Sequence, residues 1–312
     1  MRKKEKIMVI GAGLLDVLAC PVDKEVFEKT SVPVNNISLS TGGDALNEAT
    51  VLARLGKTPM LVSLIGKDDA GEAVLSHCRK EGISAEYVRS EEGLETSVNI
   101  VMVEPDGNRS FFTNPRSSLR RLSLEHIPEY FPENVGIMCL ASIFVSPCLG
   151  PKELEIIFQR AKEQGLIVCA DMTKCKNGET VEDIREALAH VDYLFANEEE
   201  AALVTGKKTP LEMAECFRQC GTGHVIIKLG KRGCFICGED IKEQIPAACA
   251  EKCIDTTGAG DSFAGGFLCA LSEGKSFREC AVFAGACGAA AVEAVGATAG
   301  IKNRAQVEEK LS

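Results

Sequence analysis

No run in this chain reaches the ~18 consecutive apolar residues that a membrane-spanning helix needs, so a soluble protein with no membrane partner is expected. The basic start Met1-Arg-Lys-Lys-Glu-Lys is followed by only a short apolar run before Gly11, too brief for an export signal, and a cytoplasmic location is expected. Positive charge is scarce: 35 Lys and Arg stand against 45 Asp and Glu, a net charge of −10. Nucleic-acid affinity comes mainly from neutralising phosphates, so no nucleic-acid partner is expected and small molecules are. The 15 cysteines lack a ligand pattern. Cys234-Phe-Ile-Cys237 has no second pair and no paired His, which excludes a zinc set. Scattered among Ala, Leu and Phe, the cysteines predict small buried hydrophobes in a reducing compartment. Two phosphate-binding patterns are also incomplete. Gly11-Ala-Gly13 follows a strand, but Asp16 stands where a dinucleotide fold needs its third glycine. Gly56-Lys57-Thr58 and Gly274-Lys275-Ser276 have Val51 and Cys269 where a P-loop needs its first glycine.

What is present centres on residues 255–267, Asp-Thr-Thr-Gly-Ala-Gly-Asp-Ser-Phe-Ala-Gly-Gly-Phe. Gly258 and Gly260, flanking Ala259, let the backbone turn its N–H groups one way. Phe263, Phe267, Leu268 and Leu271 then recur at helical spacing. A Gly-rich turn feeding a helix N-terminus is an anion trap. Asp261 lies in the first turn, where a carboxylate can take the proton of an attacking hydroxyl, which points to phosphoryl transfer with Asp261 as base. An acidic helix cap would show the same local pattern. Upstream, Asp16 just past a strand suits hydroxyl recognition better than a pyrophosphate. Gly42 and Gly43 open a helix and allow close approach of a ligand, and Asn47 one turn on can donate and accept toward a polyol. Asn197 follows a strand, with Glu200 three residues later; their amide and carboxylate suit phosphate oxygens and a water-coordinated Mg²⁺.

Strands and helices alternate along most of the chain: strands at 6–10, 59–65, 137–140, 166–170, 193–196, 224–228 and 234–237, and helices at 41–55, 72–81, 152–164, 181–188, 198–204, 210–219, 261–271 and 277–295. That order predicts one α/β domain over residues 1–312 with a parallel sheet covered on both faces. Extended segments over 17–40, and a hairpin whose turn is Asp106-Gly107, interrupt the alternation and predict a small accessory sheet. Arg109, Arg116, Arg120 and Arg121 form a basic island beside it, suited to an anionic sugar or to plain solvation.

Gly42-Gly43 with Asn47, Asn197 with Glu200, and Asp255-Thr-Thr-Gly-Ala-Gly-Asp261, in this order, resemble the ribokinase/PfkB family of carbohydrate kinases, and most nearly a subgroup of bacterial sugar kinases. The resemblance implies a ribokinase-like, doubly wound α/β fold with a β-sheet lid formed by about 14–40 and 95–121. It implies transfer of the γ-phosphate of ATP, with Mg²⁺, to a sugar hydroxyl. Asp16, Gly42, Gly43 and Asn47 would hold the sugar, Gly258, Ala259 and Gly260 would form the anion hole, and Asp261 would be the base. Asn197, Glu200, Lys228, Gly230 and Gly233 would serve the nucleotide and Mg²⁺. Asp255 and Thr257 match positions that bind a monovalent cation, K⁺, in many members, with carbonyls near 296–299. Three departures stand out: ribokinases carry Lys where Asp44 stands and Glu where Ser142 stands, and members often carry Asn where Gly285 stands. The alternatives are a nucleoside kinase of the same family and a non-catalytic sugar- or nucleotide-binding protein. An exposed lid edge would invite a homodimer.

Overall fold

The computed structural model describes residues 5–104 and 109–311, with Arg109 described by its backbone alone, so the Asp106-Gly107 turn and the Arg109 side chain lie outside the described residues. The first half of the chain forms β1 (Lys6–Ile10), β2 (Leu14–Cys20), β3 (Asn36–Gly42), α1 (Asp44–Arg54), β4 (Met60–Gly66), α2 (Asp69–Glu81), β5 (Ser84–Glu91), β6 (Val98–Val103) and β7 (Arg109–Thr113). The second half forms β8 (Val135–Ile143), α3 (Pro151–Glu163), β9 (Ile167–Met172), α4 (Arg185–Leu188), β10 (Tyr193–Asn197), α5 (Glu198–Thr205), α6 (Pro210–Gln219), β11 (His224–Lys228), β12 (Cys234–Cys237), β13 (Lys242–Ile245), α7 (Ala259–Ser272), α8 (Phe277–Ala291) and α9 (Arg304–Glu309).

Nine strands make the main sheet in the order β13-β12-β11-β10-β9-β8-β1-β4-β5. From β5 to β11 every pair is parallel, whereas β12 and β13 pair antiparallel and close one edge. Alternation along each strand divides the apolar side chains between two cores. Met8, Ile10, Met138 and Leu140 pack under α3 to α6. Ile7, Val9, Cys139 and Cys169 pack under α1, α2, α7, α8 and α9. Phe158, Phe195, Phe217 and Phe267 are fully buried, each worth about 2–3 kcal/mol of transfer free energy. α7 and α8 approach closely because their contact residues are small: a Cβ on Gly266 would lie 2.5 Å from Cys287 Sγ.

The second sheet has four strands in the order β3-β2-β6-β7. β2 and β3 lie at the two ends of the extended stretch expected over 17–40, and with β6 and β7 they make the small accessory sheet that the sequence predicts. Period-2 patterning is weak there because much of this sheet is solvated on both faces, with β3 exposed from Asn36 to Ser40. Three expectations about the main domain are corrected. The helix at 181–188 is α-helical only over Arg185–Leu188, the helix at 277–295 stops at Ala291, and the strands β5 and β13 were not anticipated. β5 and β13 are the edges of the main sheet, where polar residues replace the apolar run of an interior strand.

Candidate active site

Chain direction across the main sheet reverses at β1, which lies between β4 and β8, so a crevice opens beyond the carboxyl ends of these strands. The glycines of the crevice are there for space. Gly258 is the N-cap of α7 at φ 69°, where an added Cβ would run into the Ala297 carbonyl oxygen. Gly43, the N-cap of α1 at φ 95°, would place a Cβ 2.6 Å from the Ala12 carbonyl oxygen. Only glycine tolerates either backbone state with that approach. The starts of α1 and α7 are thereby brought together, and Asn47 Nδ2 donates to Asp261 Oδ2 at 2.7 Å across 214 residues of sequence.

Asp261 is the third residue of α7, within the turn whose first amides have no helical carbonyl behind them. Burial pushes its carboxyl up to about 7, helped by the neighbouring Asp44 carboxylate and opposed by the Asn47 hydrogen bond and the Lys228 charge. Lys228 ends β11 and is held by buried Asp171 at 2.6 and 2.8 Å. Its ammonium lies 3.4 Å from where a Cβ on Gly260 would stand, and so faces the first turn of α7. Burial alone would lower its pKa, but Asp171 and Glu200 raise it overall, and Lys228 stays charged. Asp171 was missed by the sequence reading. Its signal was position alone: a carboxylate near the carboxyl end of β9, as Asn197 stands at the end of β10 and Lys228 at the end of β11.

Asn197 and Glu200 form a reciprocal cap on α5: Asn197 N–H donates to Glu200 Oε2 at 2.7 Å, and Glu200 N–H donates to Asn197 Oδ1 at 2.8 Å. One Glu200 oxygen is thus committed. Burial pushes Glu200 up to about 7, against the pull of Lys228. Gly230 and Gly233, at φ 57° and 89°, shape the turn after β11, where Leu229 N–H donates to the Gly233 carbonyl. Gly285 of α8 opens onto empty space.

On the lid side, Asp16 of β2 accepts from Asn99 Nδ2 of β6 at 3.0 Å, and Gly42 packs so closely on Asp16 that a Cβ there would push its carboxylate aside. Asn99 was likewise missed, since its pairing with Asp16 spans 83 residues. Asp44 Oδ1 accepts from Ala45 N–H at 2.8 Å and Ala12 N–H at 3.1 Å, and Ser142 hydrogen-bonds the same carboxyl, whose pKa burial raises. Glu48, fully buried in α1 with no polar partner but the neighbouring Cys139 thiol, is pushed well up by burial and by Asp171 and Asp261.

The other candidates are placed apart from this group. Asp255 accepts from Thr257 N–H at 2.9 Å and Gly296 N–H at 2.8 Å, tying the segment before Gly258 to the loop after α8. In the basic island, Arg116 and Arg121 are exposed and Arg120 donates to the Val145 carbonyl at 2.8 Å. Among the described residues no three His, Cys, Asp or Glu side chains gather to hold a metal, and no helix is long and apolar enough to cross a membrane.

The pattern of the pfkB family carbohydrate kinases matches residues 4–304. The chain belongs to this family. As a pfkB carbohydrate kinase it is a phosphotransferase acting on a hydroxyl group. It is 29% identical to a ribokinase of Haemophilus influenzae over 283 residues, covering 88% of this chain and 89% of the relative. It is 26% identical to an ATP-dependent 6-phosphofructokinase of Thermoanaerobacterium thermosaccharolyticum over 282 residues, covering 89% and 84%. The ribokinase-like fold is seen directly in solved structures. The ribokinase of Thermotoga maritima superposes with a TM-score of 0.82 at 26% identity, covering 98% of both chains. The ribokinase of Arabidopsis thaliana, complexed with ribose and ATP, gives 0.82 at 25% identity, covering 100% of this chain and 99% of that one. In this pfkB kinase the nine-stranded sheet is the body and the four-stranded sheet its lid.

Proposed function

We propose that this kinase transfers the γ-phosphate of ATP to a hydroxyl of a neutral polyol such as a monosaccharide, with Asp261 as the general base. The observation that carries the proposal is the Asp261 carboxyl at the head of α7, bonded to Asn47 on the acceptor side and faced by the Lys228 charge on the other. A base with a pKa near 7 matches its proton affinity to the working pH, which is where proton transfer is most effective. The first-turn amides around Gly258–Gly260 would stabilise the transferring phosphoryl group, and Lys228 would add charge to the same place. ATP as donor is supported by the Arabidopsis ribokinase, whose structure holds ATP and ribose.

The neutral acceptor follows from charge. Asp44 neighbours Asp261 at the crevice and Asp16 lies against Gly42 at its lid side, while in the basic island Arg120 is committed to the Val145 carbonyl and Arg116 and Arg121 are exposed. Carboxyl oxygens accept from sugar hydroxyls, and those that are ionised repel an acidic or phosphorylated sugar. Asp44 and Ser142 replace the Lys and Glu of ribokinases, so the acceptor need not be ribose. Mg²⁺ fits the free side of Glu200: with one oxygen committed to the Asn197 amide, the ion would be met through water and the phosphates rather than in a protein cage. Bound there, it would neutralise phosphate charge. A monovalent cation at Asp255 and Thr257, with the carbonyls of 296–299, would tighten the loop behind Gly258, and activity in K⁺ against tetramethylammonium tests it.

The lid also carries an apolar row, Leu39–Val17–Ile100–Phe112, one residue from each strand in direct register. Leu39 is 71% and Phe112 50% exposed, and we assign this face to a second copy of the chain. Loss of dimer in Phe112→Glu, read by sedimentation, is the expected result. The experiment for the function is an ATP-consumption screen over neutral sugars, sugar acids, sugar phosphates and nucleosides. Phosphorylation of a neutral sugar that disappears in Asp261→Ala is expected. Turnover retained in that variant would end the base assignment, and a preference for acids or phosphates would end the neutral-acceptor assignment.

A further inference from the structure

The function above leaves His77 unused, although it stands where the lid meets the body. It lies in α2, half-buried, with both ring nitrogens hydrogen-bonded: Nδ1 to Thr41 Oγ1 at 3.0 Å and Nε2 to Thr50 Oγ1 at 2.8 Å. The proton positions follow from the partners. Thr50 gives its only hydroxyl hydrogen to the Leu46 carbonyl at 2.7 Å, so toward His77 it can only accept, and Nε2 carries the ring proton. Burial lowers the pKa of His77, with Arg54 and Lys80 acting the same way and Glu81 opposing, so the ring is neutral near pH 7 and Nδ1 accepts from the Thr41 hydroxyl. Three hydrogen bonds then run in one direction, from Thr41 through His77 and Thr50 to the carbonyl of Leu46, the residue before Asn47.

Thr41 is a lid residue. It directly precedes Gly42 in β3 and pairs with Leu15 of β2, the neighbour of Asp16. Beside it, β3, α2 and the 295–299 loop leave an open cleft of about 480 Å³ lined by Leu39, Ser76, His77 and Thr298, so side chains do not fill the gap between lid and body there. The Thr41–His77 bond crosses from the lid strand to α2 at the edge of this cleft.

We propose that His77 is a latch that sets the register of the lid on the body, and hence a positioning residue for the acceptor. It never touches substrate. By holding Thr41 it keeps Gly42 and Asp16 at a fixed distance from Asn47 and Asp261, which belong to the helices of the body. Its effect therefore falls on acceptor binding rather than on the nucleotide or the chemical step. This consequence rests on the kinase reading, while the latch itself does not.

The test uses the full chain with Thr41→Val, which removes the lid-side partner at an exposed-edge strand, alongside His77→Ala. Hydrogen exchange of the amides over 36–42, without any ligand, is expected to speed up about fivefold to tenfold in both variants while the main sheet keeps its protection. That is the size one net hydrogen bond commands. With the acceptor found by the screen, its KM is expected to rise by a similar factor, kcat and the KM for ATP staying within about twofold of the parent. If His77 only fills space between α1 and α2, His77→Ala loses stability, Thr41→Val is silent, and lid exchange is unchanged in both; that pattern overturns the latch. Should no acceptor be phosphorylated at all, the kinase assignment fails, but the exchange arm still decides the latch.

Discussion

Replacing Asp261 by Asn should cost activity and yield stability, with a pH dependence that identifies the cause. The carboxyl is pushed from an ordinary value of 3.8 up to about 7. Each pH unit of such a displacement is worth about 1.36 kcal/mol, which bounds the effect at about 4 kcal/mol. Asp261 keeps some contact with solvent, and screening reduces this to about 2 kcal/mol as the expected size. At about pH 4 and below, folded and unfolded chains both hold the proton and no penalty exists. Between about pH 4 and 7 the folded chain keeps a proton that the unfolded chain has released, so stability falls as pH rises. Above about pH 7 the folded chain carries the buried charge and the full penalty. Asn is neutral throughout and can still accept from Asn47 through its own carbonyl oxygen. The stability advantage of Asp261→Asn over the parent should therefore grow by about 2 kcal/mol between about pH 4 and pH 8, read by urea unfolding at both pH values with an unchanged m-value. Turnover should fall by a factor of about 10³, the scale of general-base loss. An advantage independent of pH would refute the argument, because the Asp261 carboxyl would then not be displaced by its surroundings.

The other predictions concern its neighbours. In the parent, kcat/KM should rise with pH through about 7 as Asp261 loses its proton; Lys228→Met removes a charge that favours the ionised form and should move this limb to higher pH, measured as a pH–rate profile. Gly258→Ala places a Cβ against the Ala297 carbonyl at φ 69° and should lower kcat about 10² to 10³-fold through a displaced anion trap, with the circular dichroism spectrum unchanged. Gly266→Ala meets Cys287 Sγ at 2.5 Å and should destabilise the chain by about 1–3 kcal/mol in urea unfolding, with kcat preserved in the folded fraction.

Where local structure depends on neighbours in sequence, the residues alone were sufficient. Gly258, Gly260 and Asp261 sit within four positions, and a turn with positive φ followed by a helix start follows from their types and spacing; so did the Gly43 entry to α1 and the alternation that builds the parallel sheet. The resemblance to carbohydrate kinases grouped Asn47 and Asp261 in one site, but the hydrogen bond between them, across 214 residues, is seen only in the fold. Asp171, Asn99 and His77 belong to no recognisable local motif. Asp171 becomes significant only because β9 and β11 flank β10 and set it against Lys228, 57 residues away. Asn99 does so because β2 and β6 pair in register, and His77 because the lid closes over α2. A lone Asp, Asn or His carries no mark of its partner, and partners are chosen by strand order and helix packing. Charge state was decided at the same level. One carboxylate motif gives no hint that Asp261 and Glu200 are held near neutrality while Asp171 pairs with a lysine, since burial and the distance to other charges exist only once the chain has folded.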